Sequence, residues 1–302
     1  MKKLALLLGS LLVVGVAQAK EVVVAPVVVE ESKEIVVVAE PVVEEVAVVV
    51  EEAKPVLRVT QIGQWIEIDN YAGSADGDIG DVMLGNRVAL STDNWDFEVN
   101  AKKSWITDTK GGFGKTGSEI NLDAWRNFST EAGSKYALGA RWRQTNNYDR
   151  YYLRGKYVTG MFSGWADVWY EAGENNNDEF KTELMPANVT MGPLTLGYFL
   201  AANKGVGSNA NNGQEHQLRA YLPLYVGEKL ALGAEYRFGL EKQENGKVIY
   251  EFARMNRAQL GLGYQYTENL EFSTYYLYEI TEKKDSTKDY YGEFGLAWNY
   301  SF

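Results

Sequence analysis

Three stretches of this chain carry residue types that could do chemistry. GGFGKTG (residues 111–117) sets glycines around a lysine and a threonine, as a phosphate-cradling loop does. In the pattern G-x-x-x-x-G-K-[ST] the first glycine would fall at position 109, which is Thr109, and the stretch lies between strand patterns with no helix after it. A polar connection is the better reading. DGDIGD (76–81) places Asp76, Asp78 and Asp81 close together. Hard carboxylate oxygens suit Ca²⁺, but the glycine and distal glutamate of an EF-hand loop are not in place, so a solvated acidic connection is expected. His216 is the only histidine, and there is no cysteine. The sequence offers it neither a nucleophile–His–acid set nor the His or Cys partners of a metal site. No catalytic residue, metal or cofactor is expected.

The remaining charges fall at every second position. Arg141, Arg143, Arg150, Arg154 and Lys156 share one parity on two neighbouring segments, and Arg87, Arg219, Arg237 and Arg257 recur on others. The acids Asp96, Glu98, Asp123, Asp167 and Glu235 follow suit, with Glu119, Glu171, Glu271, Glu279 and Glu293. A period of two is one face of a strand, so these residues are expected to line one common surface. Opposed basic and acidic walls would impose a transverse field on a water-filled pore. Charges on adjacent strands could instead pair and brace the wall. Trp165 and Trp169 share the parity of Asp167; they could stack on a pyranose ring or brace the same wall.

The elements that must carry these residues are strands. In KLALGAEYRFGLE, Leu230, Leu232, Ala234, Tyr236, Phe238 and Leu240 share one face, and Ala231, Gly233, Glu235, Arg237, Gly239 and Glu241 the other. Similar alternation marks fourteen segments from Val56 to Phe302, one of them spanning 248–266. Their connections alternate between long polar stretches such as TDTKGGFGKTG and tight turns such as STDN and GEK. Overall, the chain has 302 residues, thirty glycines, a mean hydropathy of -0.30 and a net charge of -11. That average suits a soluble protein, but alternation hides a continuous apolar face behind it.

Lys2 and Lys3, the apolar run after them and Ala17-Gln18-Ala19 read as a signal peptide over 1–19. Residues 20–55 form an acidic Val/Glu/Pro segment without aromatics or glycine. It reads as a tether or as a partner-binding stretch. Residues 56–302 are expected to form the barrel. The fold class is therefore all-β: a transmembrane antiparallel up-and-down β-barrel of about fourteen strands, with twelve or sixteen as alternatives. Long connections at one end and short turns at the other place it in the cell outer membrane with both termini periplasmic. Such a barrel is too wide for side chains to fill, and inward glycines are expected to leave water-filled space.

The opening MKKLALLLGSLLVVG, with AQAKE at the cleavage site, resembles fusobacterial outer-membrane porins of the FomA kind. By size and by the alternation of its connections, the barrel region looks like the OmpG type of fourteen-stranded porin. This resemblance implies passive diffusion of small hydrophilic solutes and brings no catalytic residue with it. The last strand, with Trp298, Tyr300 and a terminal Phe302, resembles the signal read by the barrel-assembly machinery. Expected partners are thus outer-membrane lipid, that machinery and small hydrophilic solutes, with no nucleic acid; a monomer and a homo-oligomer both fit. A general diffusion porin leads, ahead of an oligosaccharide-selective channel and a surface adhesin or structural barrel.

Overall fold

Period-two alternation gives each strand one apolar and one polar face, and a bilayer offers no hydrogen-bond partner to an open sheet edge. The computed structural model meets both demands with a closed ring. It describes residues 56–73, 79–108, 112–174, 177–208 and 211–302. The segments 1–19 and 20–55, and with them Asp76, Asp78 and Gly111 of the two candidate loops, lie outside the described residues.

The strands are β1 (Arg58–Gly73), β2 (Ile79–Ser91), β3 (Trp95–Asp108), β4 (Gly112–Ser129), β5 (Lys135–Gln144), β6 (Tyr148–Thr159), β7 (Phe162–Gly173) and β8 (Glu179–Met191). They continue as β9 (Leu194–Gly205), β10 (Gly213–Val226), β11 (Leu230–Glu244), β12 (Lys247–Tyr250), β13 (Met255–Gln265), β14 (Leu270–Glu282) and β15 (Lys288–Ser301). Each pairs antiparallel with its neighbour, and β15 closes on β1 from Gln61↔Ser301 to Gly73↔Asp289. The segment expected as one strand over 248–266 is interrupted. Short β12 and then β13 pair in turn with β11, and residues 251–254 bulge out between them, with Ala253 at φ 65. β12 and β13 share one place in the ring, so fourteen strands enclose the lumen. Strands about 4.8 Å apart and tilted by about 40° then close at a backbone radius of about 14 Å.

The outer face is apolar and exposed: Leu138, Leu153, Leu260, Tyr276 and Leu296 all point outward. On β3, Trp95 and Trp105 share this face ten residues apart. That spacing projects to about 25 Å along the barrel axis, the height of an outer-membrane apolar belt with its aromatic girdles. The inner face is identified by contacts that skip a strand, because side chains of next-but-one strands converge only on the concave side. Arg154 of β6 reaches Asp123 of β4, Tyr275 of β14 reaches Glu67 of β1, and Tyr221 of β10 reaches Met185 of β8.

Two local expectations are corrected. Much of the long polar connections is strand: TDTKGGFGKTG is taken up by β3 and β4 except at 109–111, because the hairpin extends past the belt and keeps its ladder. Glu241 does not share the face of Glu235. A bulge at Leu240 sets Lys242 opposite the inward Glu215 and Glu241 opposite His216, so parity inverts above it.

Candidate channel lumen

The inner wall from β3 to β8 is a ladder of ion pairs. Asp123, whose side chain is 2 % exposed, accepts from Arg141 Nε at 2.8 Å and from Arg154 Nη1 at 2.6 Å. Arg154 also forks onto Asp167, Nε to Oδ1 and Nη2 to Oδ2, both at 3.0 Å. Glu119 takes Arg143 at 2.5 Å and Lys102 at 3.3 Å. Glu171 accepts from Arg150 and from Lys181. Further round, Arg87 meets Glu98, Arg237 meets Glu235 and Arg257 meets Glu279, while Asp96 accepts from Asn127. Fixed, bidentate Arg–carboxylate geometry of this kind is among the stronger polar contacts a protein makes. Of the two arrangements open from sequence, the geometry favours pairing. The cations of β5 and β6 are interleaved with the acids of β4 and β7 and do not form a separate basic wall.

Two cations on this wall are held by rings. Lys156 Nζ lies 4.2 Å from the centre of Trp125, with Arg154 at 4.8 Å from the same ring. Arg219 sits 3.6 Å over Phe199, and its Nε donates to Gln217. Among the described residues neither Lys156 nor Arg219 has a carboxylate within ion-pair distance.

The glycines of the inner wall are not all empty space, contrary to expectation. A Cβ on Gly139 would lie 2.5 Å from the Trp125 ring, and one on Gly85 or Gly295 would run into Trp65 or Tyr275. The members of each pair are register partners: Trp125↔Gly139, Trp65↔Gly85 and Tyr275↔Gly295. The ring lies flat across the gap its partner leaves, so glycine makes room for an aromatic pressed against the wall. These rings were not legible as a set, since only the register shows that each sits opposite a glycine.

Across the lumen the chemistry changes. β14, β15 and β1 stand opposite β6, β7 and β8 in a fourteen-place ring. There Tyr275 donates to Glu67 and Glu293, Tyr291 donates to Glu293, and the Asp81 amide donates to Asp69. Among the described residues Glu67, Asp69 and Glu293 have no basic partner. An ion-paired wall thus faces three carboxylates, Glu67, Asp69 and Glu293, that are held by hydroxyls and backbone. Sequence reasoning named Glu293 but missed Glu67, Asp69, Tyr275 and Tyr291. Tyrosine at inward parity is the signal that could have found them.

Of the two tryptophans that share the parity of Asp167, Trp169 is buried and Trp165 is half-buried. Trp169, 6 % exposed, stacks on Tyr152 at 4.9 Å, and Trp165 packs against Phe199. His216 points outward and shares a 2.6 Å hydrogen bond with the Tyr198 hydroxyl. Among the described residues no cluster of His, Cys, Asp and Glu could hold a metal ion.

The chain is similar to Outer membrane porin G of Escherichia coli (strain K12), 25% identical over 219 residues that cover 68% of this chain and 70% of that protein. The chain is a porin-type outer-membrane β-barrel. The OmpG-type part of the resemblance read from sequence is borne out. No family model matches the chain. Weaker likenesses to this porin-type barrel occur among solved structures. An anion-selective porin from Comamonas acidovorans aligns at 10% identity and a TM-score of 0.43, over 82% of this chain and 100% of that one. Omp33 of Acinetobacter baumannii aligns at 10% and 0.38, over 81% and 99%. Both scores lie below 0.5, so the barrel assignment rests on the chain's own closed ring and on the similarity in sequence.

Proposed function

We propose that this protein is a non-enzymatic channel for the passive diffusion of small hydrophilic solutes and ions across the outer membrane. The observation that carries the reading is a closed ring whose outer belt is apolar and whose inner wall is charged. In this reading Arg141, Arg143, Arg150, Arg154, Lys156, Arg219, Arg237, Arg257, Asp96, Glu98, Asp123, Asp167 and Glu235 line the water path. Opposite surfaces on one sheet suit a barrel wet inside and greasy outside. A saccharide slide draws less support, since Trp169 and Phe199 have their faces occupied by Tyr152 and Arg219. Single-channel recording of the refolded protein in planar bilayers tests the proposal. Ohmic conductance with weak ion selectivity is expected. Saturable block by one sugar would replace it with a selective channel, and no conductance from a folded, heat-modifiable barrel would overturn it.

In the same reading both termini lie at the periplasmic end. The chain ends there beside its first strand, the Phe302 amide donating to Thr60 and the Phe302 ring packing edge-on to Tyr300. Short connections at 92–94, 160–161 and 192–193 share that end. Trp298, Tyr300 and Phe302 then offer their outward rings to the assembly machinery. Deleting Phe302 should lower the amount of heat-modifiable barrel in outer membranes several-fold and leave detergent refolding in vitro nearly unchanged. Equal losses in both would assign Phe302 to stability instead.

A further inference from the structure

Arg126 of β4 shares the outward parity of Leu122 and Phe128, three residues before its strand ends. Its register partners are Trp95 on β3 and Leu138 on β5, both exposed on the same face. The guanidinium carbon lies 5.6 Å from the centre of the Trp95 ring and 5.8 Å from that of Phe128. Among the described residues Arg126 has no hydrogen-bond acceptor and no carboxylate within ion-pair distance. Every other arginine among them is held by a carboxylate, except Arg219, whose Nε donates to Gln217. Just deeper in the belt, a groove opens on the same face. Phe97, Ala124 and Ala140 form the next outward row of register partners, about 5 Å from Arg126 along the barrel axis. The two alanines floor the groove, and Phe97, Leu122, Trp142 and Tyr151 wall it.

A guanidinium presents a planar fork of N–H donors that matches a phosphate through two parallel hydrogen bonds. The flanking rings attract its charge but do not take up that fork. An acid-free cation at the height of the Trp95 girdle is complementary in charge to an oxyanion at the membrane–water interface. A free anion would leave the groove unfilled, and an acyl chain alone would leave the cation unmet. A phospholipid answers both, since its phosphodiester lies at the interface and its chains run inward from there. We propose that Arg126 and the groove floored by Ala124 and Ala140 bind one phospholipid of the periplasmic leaflet, its phosphodiester on Arg126 and one acyl chain along the groove. The choice of leaflet rests on the proposed orientation, in which the connections at 92–94 and 130–134 are periplasmic.

Native mass spectrometry of the purified barrel in detergent, with phosphatidylglycerol added, reads the site. One retained phosphatidylglycerol is expected. Arg126→Gln should lower the retained fraction several-fold. Ala124→Leu, which fills the groove from its floor, should do the same with the arginine intact. Arg58→Gln removes an arginine at the same end that is paired with Asp93, and should leave retention unchanged. Heat-modifiable migration reports that each variant folds. Diacylglycerol, with the chains and no phosphate, should not be retained, and inorganic phosphate should not displace the lipid. Equal retention by the parent and Arg126→Gln overturns the site, as does an equal loss in Arg58→Gln. Retained diacylglycerol would reduce it to apolar contact, and displacement by inorganic phosphate would reduce it to a free-anion site; either overturns the proposal. Lipopolysaccharide bound in preference to phosphatidylglycerol, and lost in Arg126→Gln, would give the site to the other leaflet and equally overturn it. Orientation has its own readout. Glu131→Cys, in the exposed turn after β4, should escape a polymer-bound maleimide too large for the lumen in intact cells; labelling there would overturn the choice of leaflet. Conductance should not move in any of these variants, so this test stands or falls separately from the diffusion reading.

Discussion

Replacing Arg141, Arg143 and Arg154 together with glutamine should move the reversal potential in a KCl gradient toward the potassium equilibrium value. Three positive charges leave the inner wall, and the carboxylates they held remain. Asp123 loses both of its cations, Asp167 loses Arg154, and Glu119 keeps only Lys102. A unit charge about 4 Å from a permeating ion is worth about 1 kcal/mol in water, and more near a low-dielectric wall. The cation-to-anion permeability ratio should therefore rise several-fold. The sign reverses in the reciprocal experiment. Asp123→Asn frees Arg141, leaves Arg154 held by Asp167 alone, removes one negative charge from the wall and should favour anions. An unchanged reversal potential in both variants would remove these residues from the ion path. Stability is a separate readout. Removing one partner of a buried ion pair costs about 3–5 kcal/mol, and Asp123 sits at the junction of two such pairs. The Arg variants should thus unfold at clearly lower denaturant, whichever way selectivity moves.

Gly139→Val is expected to be the most damaging single substitution on the inner wall. Its Cβ would lie 2.5 Å from the Trp125 ring and 3.0 Å from the Ala124 carbonyl oxygen. The carbonyl belongs to the ladder and cannot yield, so the ring must swing into the lumen. It then leaves Lys156 and Arg154, which now rest on it. Overpacking of this kind costs about 1–3 kcal/mol, with the lost cation–ring contacts adding to it. A displaced indole in the water path should also lower single-channel conductance. Gly155→Ala on neighbouring β6 is the control. There a Cβ meets only Leu138 Cδ2 at 3.7 Å and the Ala137 carbonyl at 4.0 Å, so stability and conductance should stay near those of the parent. Equal losses in the two variants would mean that glycine is needed for backbone reasons and not to seat the tryptophan.

Much of this architecture was readable before any coordinates. Leu230, Leu232, Ala234, Tyr236 and Phe238 alternate with Ala231, Gly233, Glu235, Arg237 and Gly239, and the structure keeps them on opposite faces. The closing strand behaves likewise. Phe294, Leu296 and Tyr300 are exposed outward, while Glu293 and Gly295 meet Tyr275 inside. Reading failed where one extra residue entered a strand. The bulge at Leu240 turned Glu241 outward, and residues 251–254 split a segment that had read as continuous. Such insertions leave composition and average alternation untouched.

The sequence by itself determined which face each strand shows, and from that the membrane-facing belt, the polar interior and the need for a closed ring. Those properties follow from the two-residue period of a single strand, which requires no neighbour. Tertiary structure decided who meets whom. Asp123 lies between Arg141 and Arg154, Trp125 covers Gly139, and Gln64 meets Asn86 on the outside because the stagger between strands aligned them. Stagger is fixed by the closure of all fourteen strands at once, and a slip of one residue would turn every one of these side chains to the other face.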